Sequence, residues 1–198
     1  MPIAELCAGY GGLGMAVGTI LQDHVAYVAE IDPHASQILA ARYPHAPNIG
    51  DITLYDWSRL SGEVDVITAG FPCQGISNAG LRKGLDDERS GIWRDVAQAI
   101  RVVRPRIAFL ENVASIKGRG LDQVVSDLAA IGYDAEWTCL RASAVGAPHH
   151  RDRWFCIAIP EDADGESFRQ WWRSAPRETQ KWEQICGGGG ADGQPELA

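Results

Sequence analysis

A cysteine in a polar loop is the first residue of this sequence whose type and position could do chemistry. Cys73 lies in the loop GFPCQGIS (70–77), directly after the apolar run VDVITAG (64–70). Most lone cysteines are small core residues, but core cysteines rarely stand among glycine, proline, glutamine and serine. Because doubly wound sheets bind ligands at the carboxyl ends of their strands, Cys73 is a candidate nucleophile.

A glutamate at the end of another apolar run is a candidate proton donor. The run RIAFLEN (106–112) ends at Glu111 and Asn112. A carboxylate at the tip of a buried strand is costly unless it is partnered or used, and partial burial raises its pKa. Such a group can protonate a bound molecule. A role in capping or bracing a loop fits the same position equally well.

Two arginines precede the last apolar run, in the segment APHHRDRWF (147–155). Arg151 and Arg153 are two residues apart, so in an extended segment both guanidinium groups face the same side and can converge on one site. A solvated sheet edge is the alternative. The neighbouring His149 and His150 do not predict a metal site, because adjacent side chains diverge and no third ligand is evident.

A glycine-rich turn near the amino terminus is a candidate cofactor site. The segment ELCAGYGGLG (5–14) contains four glycines between a predicted strand and a predicted helix. Glycines at such a turn allow the backbone to bend sharply and to approach a ligand closely. The spacing fits the dinucleotide fingerprint only loosely, so a turn without a ligand is the alternative.

Acidic residues follow the next strands. Glu30 stands at the end of the second strand, where α/β folds hold ribose hydroxyls. Asp32, directly before Pro33, predicts a helix N-cap. In GDIT (50–53), Asp51 could accept a hydrogen bond from an exocyclic amine, or could only form a turn.

These residues need a scaffold of alternating strands and helices to bring them together. The predicted strands are IAELC (3–7), VAYVAEI (25–31), VDVITAG (64–70), RIAFLEN (106–112), DAEWTCLRA (134–142) and RWFCIAI (153–159). The predicted helices cover about 13–22, 33–43, 91–104 and 121–131. Nearly continuous apolar strands are buried on both faces, which predicts an α/β fold with a doubly wound, mostly parallel sheet.

Composition and charge indicate one soluble globular domain. The 198 residues are 45% hydrophobic and carry a net charge of −8, which argues against binding nucleic acid by bulk positive charge. Residues 1–80 have 2 basic and 8 acidic side chains, whereas residues 81–160 have 12 and 10, so a polyanion should bind the middle. Five cysteines without a CxxC pair, no signal peptide and no long apolar run predict a cytoplasmic protein with reduced thiols.

The composition of the sequence becomes more polar after Pro160. Residues 1–160 form the predicted catalytic domain, and residues 161–198 form a polar tail with three tryptophans and a GGGG run at 187–190. A helix over 168–185 is compatible with the tail, and disorder is expected from Gly187 onward.

Taken in order, these segments resemble the C5-cytosine DNA methyltransferase family over about residues 2–160. The resemblance rests on the AGYGG turn, Glu30, GDIT, the GFPCQ loop, ENV (111–113) and the RxR pair. It implies the Rossmann-like fold of S-adenosylmethionine-dependent methyltransferases, with a last strand that runs antiparallel. It also implies S-adenosyl-L-methionine as cofactor, double-stranded DNA as substrate, and no metal.

The family resemblance further implies a role for each site residue. Cys73 would add to C6 of a flipped cytosine, while Glu111 would protonate N3 and make C5 nucleophilic. Arg153 would contact the base and orient Glu111, and Arg151 would shape the pocket and lower the pKa of the Cys73 thiol. The implied cofactor-binding residues are Cys7, Ala8, Gly9, Gly11, Gly12, Glu30, Ile31, Asp51, Ile52, Gly70, Phe71, Pro72 and Ile92.

The chain also departs from the family pattern. Glu5 stands where the family usually has Asp, Cys7 where an aromatic is common, and His149 where Gln is frequent. Residues 161–198 resemble neither the target-recognition domain nor the final segment of the family. A truncated enzyme, or one completed by a second polypeptide, is therefore expected. A non-catalytic S-adenosylmethionine-binding remnant and a tRNA methyltransferase are the alternatives.

Overall fold

A computed structural model describes residues 1–72, 91–118, 120–161 and 170 of the chain. Its strands are β1 (Ile3–Leu6), β2 (Val25–Ala29), β3 (Val66–Gly70), β4 (Ile107–Val113), β5 (Tyr133–Arg141) and β6 (Asp152–Pro160). Its α-helices are α1 (Gly12–Leu21), α2 (Pro33–Arg42), α3 (Gly91–Val103) and α4 (Leu121–Ala130). Each of these elements corresponds to one predicted from the sequence, with ends that differ by no more than two residues.

The six strands form one sheet in the order β2-β1-β3-β4-β6-β5. Strands β1 to β4 pair in parallel, and β6 runs antiparallel to both β4 and β5. The predicted doubly wound, mostly parallel sheet with an antiparallel last strand is therefore confirmed. This order brings the carboxyl ends of β1, β3 and β4 to one edge, where the predicted chemistry lies.

Helices pack on both faces of the sheet. On one face, α3 buries Trp93, Val96, Ala99, Ile100 and Val103, whose spacing of three and four residues makes a continuous apolar stripe. On the other face, α1 packs on β1, β2 and β3. Further along that second face, Phe109 of β4 and Phe155 of β6 are half-buried, with ring centroids 6.3 Å apart.

Local signals explain where α2 begins. The Asp32 side chain accepts hydrogen bonds from the backbone N–H groups of His34 and Ala35, and Pro33 occupies the first turn. These contacts satisfy two donors that a helix start leaves free, and the fixed φ of proline suits that position. The predicted N-cap is confirmed. None of the helices in the described ranges is long and apolar enough to cross a membrane.

Candidate active site

The glycine-rich turn between β1 and α1 is held from several sides. Gly9 and Gly11 have φ of 54° and 76°, a region that glycine enters without steric cost. The N–H of Gly9 donates to Glu30 Oε2 at 2.7 Å, and the Tyr43 hydroxyl donates to the Gly11 carbonyl at 2.7 Å. Arg42 also donates to the carbonyl of Tyr10. The turn is therefore built as a fixed backbone surface.

Glu30 joins the turn to the end of β2. Besides the N–H of Gly9, its carboxylate accepts the N–H of Asp32 at 2.8 Å. A carboxylate offers about four lone-pair sites, so two acceptor positions remain for hydroxyl groups of a ligand. The predicted ribose contact of Glu30 stays a prediction, and its position beside the turn is compatible with it.

The residues predicted for the base of the cofactor differ in exposure. Ile31 is 74% exposed at the end of β2, so a flat apolar ring could cover it. Ile52 is 6% exposed and belongs to the core, so its backbone rather than its side chain would face a ligand. Asp51 is half-buried, and hydrogen bonds from the backbone N–H and the side chain of Thr53 keep its pKa below the ordinary value.

The chain just before Cys73 is fixed by the next strand. The buried side chain of Asn112 donates from Nδ2 to the carbonyl of Phe71 at 2.9 Å. Phe71 is itself buried and packs on Trp93 with ring centroids 5.1 Å apart. Cys73 and the rest of the loop, residues 73–90, lie outside the described residues.

Glu111 and Arg153 form the charged centre of the site. Arg153 Nε lies 2.7 Å from Glu111 Oε1, and each side chain keeps about a quarter of its surface exposed. Burial raises the pKa of the Glu111 carboxyl above its ordinary value, although Arg153 and Arg151 oppose the rise. Such a group can hold a proton and release it when a basic ring nitrogen approaches.

Strand register brings this pair next to Gly70, the residue at which the chain leaves β3 toward Cys73. Gly70 is the cross-strand partner of Glu111, and a methyl group at Gly70 would lie 3.4 Å from Glu111 Oε2. Arg151 is exposed just before β6, and Ile92 is half-buried in the first turn of α3. At this edge of the sheet, Glu111 contacts Arg153 and lies beside Gly70, three residues before Cys73 in the sequence.

Two cysteines in the described part of the chain, Cys7 and Cys156, are unsuited to nucleophilic attack. Burial raises the pKa of the Cys7 thiol to about 11, with Glu30 and Asp95 adding to the rise. Burial also raises the pKa of Cys156. Because the thiolate is the reactive form, neither residue is activated. In the described part of the chain, no cluster of three metal-ligating side chains occurs.

Sequence reasoning assigned no role in the site to four residues that shape it, namely Glu5, Arg42, Tyr43 and Asn112. Asn112 could have been found, because a polar residue inside an apolar run needs a partner. The contacts of Arg42 and Tyr43 join residues 32 positions apart, and no local pattern reports such a pairing.

Comparison with known proteins agrees with this geometry. The family model of C-5 cytosine-specific DNA methylases matches residues 1–185. The chain belongs to this family. Type II methyltransferase M.CviJI of Paramecium bursaria Chlorella virus IL3A is 39% identical over 165 residues, which are 83% of this chain and 44% of the viral protein. M.HhaI of Haemophilus parahaemolyticus is 30% identical over 169 residues, 83% of this chain and 51% of that enzyme.

Solved structures show the same fold. The Dnmt2 methyltransferase of S. pombe superposes with a TM-score of 0.66 at 21% identity, covering 91% of this chain and 58% of that one. DNMT2 of Spodoptera frugiperda gives a TM-score of 0.67 at 21% identity, covering 82% of this chain and 50% of that one. This methylase chain spans about half the length of the curated relatives it matches.

The glycine-rich turn fits S-adenosylmethionine, the cofactor of methyltransferases with this fold. A side chain added at Gly9 or Gly12 would meet no atom within 4 Å, so the backbone there is open to a ligand. The Glu30 carboxylate stands beside this opening, and exposed Ile31 lies one residue further along. The open backbone at Gly9 and Gly12 suits the amino-acid part of that molecule. The Glu30 carboxylate suits its ribose hydroxyls, and the exposed Ile31 side chain suits its adenine ring.

Replacing Asn112 by leucine tests the support of the loop. Leucine has a similar volume, so the losses are the hydrogen bond to the buried Phe71 carbonyl and the one that Asn112 Oδ1 accepts from the Val113 N–H. A buried partner left unpaired costs about 1–3 kcal/mol. We expect a lower melting temperature together with weaker methyl transfer, measured by thermal unfolding and by tritium transfer. The exposed Gln98→Leu substitution on α3 is the control. Unchanged stability in the Asn112 variant would contradict the assigned hydrogen bond.

Proposed function

We propose that this chain is the catalytic half of a DNA (cytosine-5)-methyltransferase, which transfers a methyl group from S-adenosylmethionine to C5 of a cytosine turned out of the duplex. The observation that carries the proposal is the Glu111–Arg153 pair, 2.7 Å apart, beside the strand that leads into the Cys73 loop. A proton donor next to a cysteine loop is what activation of cytosine requires. Family membership makes this chemistry the leading interpretation.

The first step is an attack on the ring. Cytosine C5 is too weak a nucleophile to accept a methyl group unaided. In the proposed mechanism the Cys73 thiolate bonds to C6 while protonated Glu111 donates its proton to N3, so that electron density accumulates at C5. Arg153 holds the Glu111 carboxyl toward the base, and the charge of Arg151 favours the thiolate form of Cys73.

S-adenosylmethionine, when bound, supplies an electrophilic methyl group on a sulfonium sulfur, for which the activated C5 is a suitable nucleophile. Gly9, Gly11 and Gly12 would support this molecule through their backbone, and Glu30 would accept from its ribose hydroxyls. Loss of the C5 proton to water then allows the C6–sulfur bond to break, which releases Cys73 as a thiolate. Return of the N3 proton to Glu111 restores the neutral base and the acid form of that carboxyl.

The chain is further proposed to depend on additional polypeptide for target choice, either the rest of a longer protein or a separate subunit. Its relatives are about twice as long, so the matched region covers only part of each. The half-buried Phe109, Phe155 and Ile157 support this view, because sheets of this class are normally covered on both faces. Type II methyltransferase relatives make a restriction-modification setting the expected context.

Duplex DNA carrying 5-fluorocytosine tests the mechanism directly. Fluorine at C5 cannot leave as a proton does, so the covalent C6–sulfur adduct accumulates after methyl transfer. With S-adenosylmethionine present, we expect a protein–DNA adduct that survives a denaturing gel. If neither DNA nor RNA gives an adduct, even with the product of the adjacent reading frame added, the enzyme proposal is wrong. If an adduct forms with RNA but not with DNA, the substrate is RNA and the proposal of a DNA substrate is wrong.

A further inference from the structure

We propose that Glu5 is a positioning residue for the cofactor, which holds the glycine-rich turn in its binding conformation from beneath α1. This inference rests on the proposed function, because it assumes that the turn receives S-adenosylmethionine. The N–H of Gly14, in the first turn of α1, donates to Glu5 Oε1 at 2.9 Å. Oε2 of Glu5 packs against the same glycine, since a Cβ there would overlap it.

The environment of Glu5 is unusual for a carboxylate. The residue is 2% exposed, and Oε2 makes no hydrogen bond to any of the described residues. Thr68, its register partner on β3, is also fully buried, and its hydroxyl finds no hydrogen-bond partner in the part of the chain that the structure describes. Burying a charged group with so few partners is expensive. A group that costs stability at this place points to a function in the adjoining turn.

Among the described residues, few charged groups lie around Glu5. From α2, the Arg42 guanidinium lowers its pKa, and Tyr43 is the other ionisable group that faces it. The helix α1 has no ionisable side chain, and Tyr27 of β2 packs on the opposite face of the sheet. Burial raises the pKa of Glu5 from 4.5 to about 7. Its effect exceeds the opposing effects of the Gly14 and Leu13 N–H groups and of the Arg42 charge, all of which lower the pKa.

This pKa has opposite consequences for stability and for binding. Because folding raises the pKa, the contribution of Glu5 to stability is fully present below pH 4.5 and is lost as pH rises through about 7. The charged carboxylate, however, accepts stronger hydrogen bonds from the N–H groups at the start of α1 than the neutral acid does. Above pH 7, therefore, the charged Glu5 should hold the glycine-rich turn more firmly than the neutral acid does. The folded protein as a whole should be less stable there than at low pH.

The test replaces the carboxylate by an amide of the same shape. Binding of S-adenosylhomocysteine to Glu5→Gln and wild-type chains is measured by calorimetry from pH 5.5 to 8.5. We expect Kd to rise about 5-fold in the variant at pH 8.5, as for loss of a charge-assisted hydrogen bond, and to match wild type at pH 5.5. The melting temperature of the variant at pH 8.5 is expected to be higher than that of wild type.

Two further variants complete the test. Glu5→Asp keeps the carboxylate and should restore the pH dependence of Kd, whereas Glu63→Gln makes the same charge change at an exposed glutamate and should alter neither quantity. A Kd ratio that is the same at both pH values, or binding and stability that fall together, overturns the positioning role. Absence of binding by the wild-type chain instead overturns the proposed function, and the role of Glu5 with it.

Discussion

Glu111→Gln is expected to lower the rate of methyl transfer by about 10²–10⁴-fold, the usual contribution of a general acid. Glutamine keeps the shape of the side chain and can still contact Arg153, but it has no proton to give to N3. Because burial raises the pKa of Glu111, wild-type activity should fall on the alkaline side as the carboxyl loses its proton. The variant should lack this alkaline limb. Tritium transfer measured across pH checks both statements.

The matched control for this substitution is Glu136→Gln, an exposed glutamate on β5 whose replacement makes the same change of charge. Its rate and pH profile should follow those of wild type. A Glu111→Gln enzyme with a wild-type rate would show that Glu111 only braces the loop, which was the alternative that the sequence left open.

Cys73→Ser is expected to abolish the covalent adduct with 5-fluorocytosine DNA and to lower methyl transfer by at least about 10⁴-fold, as for loss of a catalytic nucleophile. A serine hydroxyl ionises far less readily than a thiol, so the attack on C6 fails although the base can still bind. The denaturing gel measures the adduct, and cofactor affinity should remain close to that of wild type.

Cys139→Ser serves as the control for this second experiment. Cys139 is a half-buried thiol on β5, which β6 separates from β4 and Glu111, so its replacement should leave adduct formation intact. If Cys73→Ser still forms the adduct and Cys139→Ser does not, the nucleophile is Cys139 and the assignment to Cys73 is wrong. Loss in both variants would point to unfolding, which thermal melting detects.

The fold could be predicted largely because its elements carry strong local signals. The strand β3 is a continuous apolar run, and Asp32 with Pro33 marks the start of α2. Hydrophobic periodicity fixes element type, and alternation of strands and helices restricts the topology to a doubly wound sheet. Element ends shifted by one or two residues, since capping and fraying depend on neighbours outside the element.

The candidate site was only partly predictable. Glu111 is indicated by its position at the end of one apolar run and Arg153 by its position at the start of another, and only the family resemblance connects the two. Nothing local in the sequence states that they lie 2.7 Å apart. That distance follows from the antiparallel pairing of β4 with β6, which sets Val113 opposite Arg153. The pairing of Tyr43 with Gly11 is likewise a product of packing α2 against the turn.

The sequence by itself determined the element types, the sheet class and the side chains available for chemistry, because these depend on residue type and short-range spacing. Only the tertiary structure decided which groups meet, which are buried and which therefore change their pKa. Glu5 illustrates the difference. In the sequence, Glu5 is only a glutamate at a position where the family usually has an aspartate. In the fold it is a buried carboxyl beneath the glycine-rich turn, with a pKa near 7, because burial removes the water that would otherwise stabilise its charge.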